Sequence, residues 1–216
     1  MSIPVPPGVD AKLFEVALQF MRFTHELWGA YLDALGGLRC VRERVVEFQN
    51  AKIAELKAKD PAQASEAFMD TQPLSHEFEP TTEEPQRLLH RSTQGEFKQR
   101  TAVNGPDARL LGHMMVALLY AAWEDVYRLK LAVALGHSEK KALQSDLFGD
   151  LAQLRHAIVH HAGIATKEVE RAKMLKWFQR GELMFITSAQ VDALYHAIDC
   201  YITELCSIPK ELIPHV

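Results

Sequence analysis

The sequence predicts an all-α protein, and three observations lead to that fold class. Apolar residues recur at three- and four-residue steps through most of the 216 residues. Helix-starting and helix-stopping residues flank those runs. Only one short stretch, Glu182–Thr187, reads as a strand or turn rather than a helix. The composition, 48% hydrophobic and 24% charged, is that of a globular chain and not of a disordered one.

Residues 1–58 form an N-terminal helical region that packs on or extends the bundle. Asp10 is a suitable N-cap. Behind it Leu13, Ala17, Met21, Trp28, Tyr31 and Leu35 repeat at helical spacing. Gly36-Gly37 is a place to kink or interrupt the helix. The pattern resumes through Leu38, Val41, Val45, Phe48, Ile53 and Leu56, which predicts either one long kinked helix or a helical hairpin. Residues 59–100 read as an irregular acidic connector, because Pro61, Pro73, Pro80 and Pro85 break any long element. A short helix is expected near Ala62–Met69.

Residues 101–216 read as the helical core. Asn104-Gly-Pro-Asp107 starts a helix, with proline in the first turn and Asp107 matching the dipole. From Ala108 to Trp123 this helix is apolar nearly all round, the mark of a buried central element. Asp125 falls on the face of Leu111, Leu118 and Leu129, where a carboxylate needs a partner, so Arg155 or a nearby histidine is expected to supply one. Glu124 flanks the face of Tyr120, Trp123 and Tyr127. Gly136 ends the helix. The next begins near Ser145 or Asp146, turns Leu147, Leu151, Leu154 and Ile158 inward, and stops at Gly163, a left-handed cap. A charged helix over Thr166–Gln179 comes after it. Thr187 to Gln190 then forms a capping box for a last helix, with Val191, Leu194, Ile198, Tyr201, Ile202 and Leu205 inside.

The chemistry-bearing residues crowd the last two turns of the helix that begins at Asp146. At about 100° per residue, His161 returns to the leucine stripe and reads as a packed, structural histidine. His156 and His160 share the opposite face, one turn apart. Arg155 lies roughly 140° around from His160, so a compact site using both is easier to build where two copies meet.

An arginine, four residues and a histidine on a helix of an all-helical chain resemble the signature of the HEPN superfamily. Trp123-Glu-Asp, Gly149-Asp-Leu, Arg155, His160, Gly163-Ile-Ala and Lys176-Trp-Phe look like an uncharacterised bacterial branch of it. The resemblance spans roughly residues 91–202 and implies a HEPN-like helical bundle with a composite site at a two-fold interface. It also implies metal-independent cleavage of single-stranded RNA, in a toxin or anti-phage defence role with an antitoxin or other defence-system protein as partner. A catalytically degenerate HEPN-like dimerisation or binding module is the alternative. In the catalytic reading Arg155 holds the phosphate, His160 moves the proton, and His156 orients the site or is a second acid/base. Glu124, Asp125 and His161 support them. The sequence departs from the branch at Ala152, where related sequences often carry an arginine, and at the added His161.

Net charge of −4 and a pI near 6.2 exclude a global basic field, so an RNA contact must rest on a local patch. Lys167, Arg171 and Lys176 make the best-placed one, although glutamates dilute it. His156 and His160 have the spacing of helical zinc ligands, but no glutamate follows His156 and no third ligand is evident; neither a metal nor a cofactor is expected. Cys40, Cys200 and Cys206 are odd in number and unpaired in spacing, which suits free thiols in a reducing cytoplasm. The N-terminus has no signal-peptide pattern. The longest apolar run, Met114–Trp123, is far short of the ~20 residues a membrane span needs.

Overall fold

The computed structural model describes Val5, residues 8–78 and residues 87–206. It is all-α, with a single two-stranded sheet among the described residues. No described helix is long and apolar enough to cross a membrane. Two compact units emerge, one from residues 1–32 with 111–216 and one from residues 33–110.

Helix α1 runs from Ala11 to Lys59 without a break, so Gly36-Gly37 does not interrupt it. Asp10 accepts the Leu13 amide at 2.9 Å, the expected N-cap. In the first unit α1 buries Phe14, Ala17, Phe20 and Met21, and the Tyr31 hydroxyl donates to the Ile186 carbonyl at 3.2 Å. Beyond Tyr31 the apolar stripe does not become a closed seam, for Val41 and Phe48 are exposed.

The described residues of the segment expected to be an irregular connector form regular elements. A 3-10 turn at Pro61–Gln63 and helix α2, Glu66–Asp70, lead into strand β1, Pro73–Phe78. Strand β1 pairs antiparallel with β2, Arg87–Thr93, and helix α3, Gln94–Arg100, begins directly after it. Pro61 opens the 3-10 turn and Pro73 opens β1, positions where a missing amide costs nothing. Pro80 and Pro85 lie outside the described residues. The Arg91–Gly95 stretch is the end of β2 and a capping box, in which Thr93 and Glu96 satisfy each other's amides.

A polar cluster closes this second unit. Lys98 is buried, with Nζ 2.6 Å from Asp70 and 2.7 Å from Glu66, and it donates to Gln49 at 2.9 Å. The Lys98 hydrogen bond, against the opposing effect of burial, holds the Asp70 carboxyl below the usual carboxylate range. A carboxyl depressed by folding stabilises fully above its unfolded pKa of about 4, and that stability is lost as pH falls through the lower folded value. Asp70→Asn should therefore lower the urea midpoint at pH 7 and leave little difference at pH 2. Urea titrations of both proteins at the two pH values check it.

The helix expected over residues 108–135 has three parts. Helix α4 spans Pro106–Ala122, a π-helical turn spans Trp123–Tyr127, and helix α5 spans Arg128–Ala134. Its inner face is buried through Met115, Val116, Leu119, Trp123 and Leu131. It is not buried all round, because Met114, Leu118, Val126, Leu129 and Val133 are exposed. Asp125 shares its face with Leu118 and Leu129 as expected, but that face is exposed, so the carboxylate needs no buried partner. A 3-10 turn at Lys140–Ala142 precedes helix α6, Asp146–His160, and helix α8, Ser188–Leu205, closes the described chain. Trp123 stacks flat on Phe148 at 3.7 Å between ring centroids, with Phe20 and Tyr201 around them; this is the aromatic centre of the core.

The charged helix expected over Thr166–Gln179 is only one turn, α7, Lys167–Glu170, capped by Thr166. Beyond it the chain is irregular to Ile186, with one β-bridge joining Ile164 and Leu183 in place of a strand. The thiols of Cys40 and Cys200 are free and exposed; Cys206 is buried, and burial pushes its thiol up to about 11.

Candidate functional site

Helix α6 positions the site. Leu147, Leu151 and Leu154 are buried as predicted, while Ile158 is half-buried. They fix the rotation of the helix and leave His156 and His160 exposed. The His156 and His160 rings stand 4.8 Å apart between centroids, and His156 and His161 stand 5.3 Å apart.

Arg155 does not diverge from His160 as the helical wheel suggests. Its Nη1 comes to 3.4 Å from His160 Nε2. A guanidinium only donates, so this contact is a hydrogen bond when Nε2 is the unprotonated nitrogen of a neutral imidazole. The wheel counts Cα directions, whereas an arginine side chain is long enough to follow the helix surface to its end. One chain therefore brings the cation and the imidazole together.

His161 is not packed; it is exposed. Helix α6 ends at His160, and His161 is its C-cap with φ −125° and ψ 25°, so the leucine stripe cannot be extrapolated to it. Ala162 and Gly163 come next with φ of 51° and 77°, which places the left-handed cap where Gly163 predicts it. The packed histidine is His113 of α4, whose Nε2 donates to the Met184 carbonyl at 2.8 Å. Its ring lies against Gly163, where a Cβ would collide with Cε1. His113→Ala should cost about 1–3 kcal/mol through the orphaned carbonyl, and His161→Ala no more than about 0.5 kcal/mol. Urea unfolding of the two variants separates these outcomes.

Neither acidic neighbour reaches the histidines. Asp125 is exposed and does not pair with Arg155. Glu124 binds Arg128 Nη1 and Lys140 Nζ, each at 2.8 Å. Burial pushes the Glu124 carboxyl up, but the hydrogen bonds from Lys140 and Arg128 outweigh it and hold the group anionic, below its ordinary range. The Tyr120 phenol is raised by burial and by the Glu124 charge, against the nearby cations, among them Arg155.

Asp150 is a support for the site that the motif residues alone do not reveal. It is buried and accepts three backbone amides: Lys173 on Oδ1 at 3.0 Å, and Met174 and Leu175 on Oδ2 at 2.6 and 2.9 Å. Those bonds turn the chain out of helix after α7 and fix the segment that carries Lys176. Lys167, Arg171 and Lys176 are exposed, whereas Lys173 pairs with Asp146 at 2.6 Å. The sequence does carry a signal for it: Asp150 is three residues from Leu147 and four from Leu154, on the apolar stripe itself. Among the described residues no three His, Cys, Asp or Glu side chains gather to hold a metal ion.

Comparison of the chain with family models, with curated proteins and with solved structures finds no match.

Proposed function

We propose that this chain is a metal-independent endoribonuclease of HEPN type, cleaving single-stranded RNA in a toxin or anti-phage defence role. The observation that supports it is the 3.4 Å approach of Arg155 to His160 on the exposed end of α6, with His156 beside them. Arg155 binds the phosphate and offsets charge growing on its oxygens. His160 takes the proton from the ribose 2′-hydroxyl, and O2′ attacks phosphorus. The bond to O5′ breaks, and O5′ takes a proton from His156. The products are a 2′,3′-cyclic phosphate and a 5′-hydroxyl. The nucleophile belongs to the substrate, so the reaction needs no metal-activated water.

Lys167, Arg171 and Lys176 supply the phosphate contacts away from the scissile bond, and their number implies binding that weakens as salt rises. The same reading carries a homodimer, its two-fold axis near the C-terminal half of α6, where Val159 is exposed beside the histidines. A cytoplasmic setting and an antitoxin or defence-system partner belong to it too.

One observation favours a second reading, a degenerate HEPN-like binding or dimerisation module. Glu124 pairs with Arg128 and Lys140 and does not reach His160 to orient it. The deciding experiment incubates the purified chain, in EDTA, with labelled single-stranded RNA and with DNA of the same sequence. The enzyme reading expects cut RNA and intact DNA. Intact RNA across varied sequences favours the module.

A further inference from the structure

A cleft of about 290 Å³ opens in the first unit, lined by Tyr120, Trp123, Glu124, Phe148, Gly149 and Gln153 among others. That volume is at the lower end for ligand sites, the size for one planar ring system and not a long ligand. Trp123 and Glu124 are the first two residues of the π turn, a distortion that recurs at functional sites. The floor is the stacked Trp123–Phe148 pair. Gly149 leaves the wall open, for a Cβ placed there would meet nothing within 4 Å.

The cleft and the histidines share one face of α6. Gly149, Gln153, His156 and His160 succeed one another at steps of four, three and four. Gln153 and His160 are seven residues apart, roughly 10 Å along the helix. The cleft is therefore the next place a strand meets after leaving Arg155 and His160.

The acceptors in the cleft select what enters. Each Glu124 oxygen has two acceptor positions. Lys140 takes one on Oε1 and Arg128 one on Oε2, which leaves one on each oxygen. Two adjacent acceptors on a carboxylate match two adjacent N–H donors on a planar ring. Among the four RNA bases guanine alone presents such a pair, N1–H with the N2 amino group. Adenine, cytosine and uracil each present a single donor group on that edge. Arg128 also lines the cleft, but its guanidinium is already engaged by Glu124 and by the Leu143 carbonyl.

We propose that this cleft is a guanine-binding subsite, in which Glu124 accepts from N1–H and N2–H of a base next to the cleaved phosphate and thereby sets the sequence preference of the enzyme. The inference rests on the ribonuclease reading only for the position of the base relative to the cut.

Calorimetric titration of the full chain with GMP, AMP, CMP and UMP tests it, since the four share one phosphate and differ in the base. GMP should bind about ten- to a hundredfold more tightly than the others, the discrimination of one bidentate contact. Glu124→Gln should remove that difference. Glu124 also holds Arg128 and Lys140, so Gly149→Phe, which places a ring in the cleft and keeps Glu124, Arg128 and Lys140 in the chain, is the second variant. It should keep the unfolding midpoint and lose the GMP preference. Equal binding of the four nucleotides, no binding of any, or a preference retained in Gly149→Phe would overturn the subsite. Cutting of RNA without regard to guanine would overturn it and leave the ribonuclease reading standing. Selective GMP binding with no RNA cleavage would keep the subsite and refute the ribonuclease.

Discussion

Replacing His160 with alanine should lower RNA cleavage by about 10²–10⁴-fold, the usual contribution of a positioned acid or base, and leave the unfolding midpoint where it is. His160 is exposed at the end of α6, and its described hydrogen bond is the 3.4 Å contact with Arg155, so its removal opens no cavity and buries no unpaired group. Arg155→Ala should lose activity on a similar scale, through the phosphate and not the proton. The two differ in what can be recovered. Arg155→Lys restores charge but not the two-pronged donor geometry, so it should recover only a small part of the rate. Rates and melting curves of the three variants, measured side by side, check this. A variant that unfolds along with its loss of activity would place His160 in the framework instead of the site.

The largest effect on stability should come from Asp150. Asp150→Ala removes a buried carboxylate from three amides and leaves Lys173, Met174 and Leu175 without their acceptor. The cost should be about 3–4 kcal/mol, a fall in melting temperature on the order of 10 °C. Asp150→Asn keeps one acceptor oxygen for Met174 and Leu175 and loses the Lys173 bond, so it should fall between. Calorimetric scans rank the three proteins. Function should track structure here: once the 173–175 turn is released, Lys176 is no longer held, and the alanine variant should bind RNA more weakly than its stability alone accounts for.

Periodicity makes part of this fold legible in the sequence, and breaks in periodicity hide the rest. The leucine stripe of α6, the caps at Asp10 and Thr187, and the left-handed Gly163 are local matters of spacing and backbone preference, and they stand where the sequence predicts them. Asp125 shares a face with Leu118 and Leu129 as the wheel places it, but an apolar run does not reveal that this face stays exposed. His161 escapes the wheel because it lies one residue past the end of a helix. The β1–β2 hairpin is hidden behind prolines that look like breakers, although Pro61 and Pro73 only mark where elements begin. The long helix expected after Thr166 fails for a tertiary reason: the acceptor that competes for its amides is Asp150, more than twenty residues earlier. Arg155 and His160 are legible as residues, but their contact is not, since it depends on a side chain running along the helix surface.

The central claim is a reaction driven by the substrate's own hydroxyl, and the ends of the cleaved strands record it. Purified protein in EDTA should convert labelled RNA to fragments ending in 2′,3′-cyclic phosphate and beginning with 5′-hydroxyl, which polynucleotide kinase then labels directly. Fragments that end in 3′-hydroxyl, or cleavage that appears only when a divalent metal is restored, would contradict it.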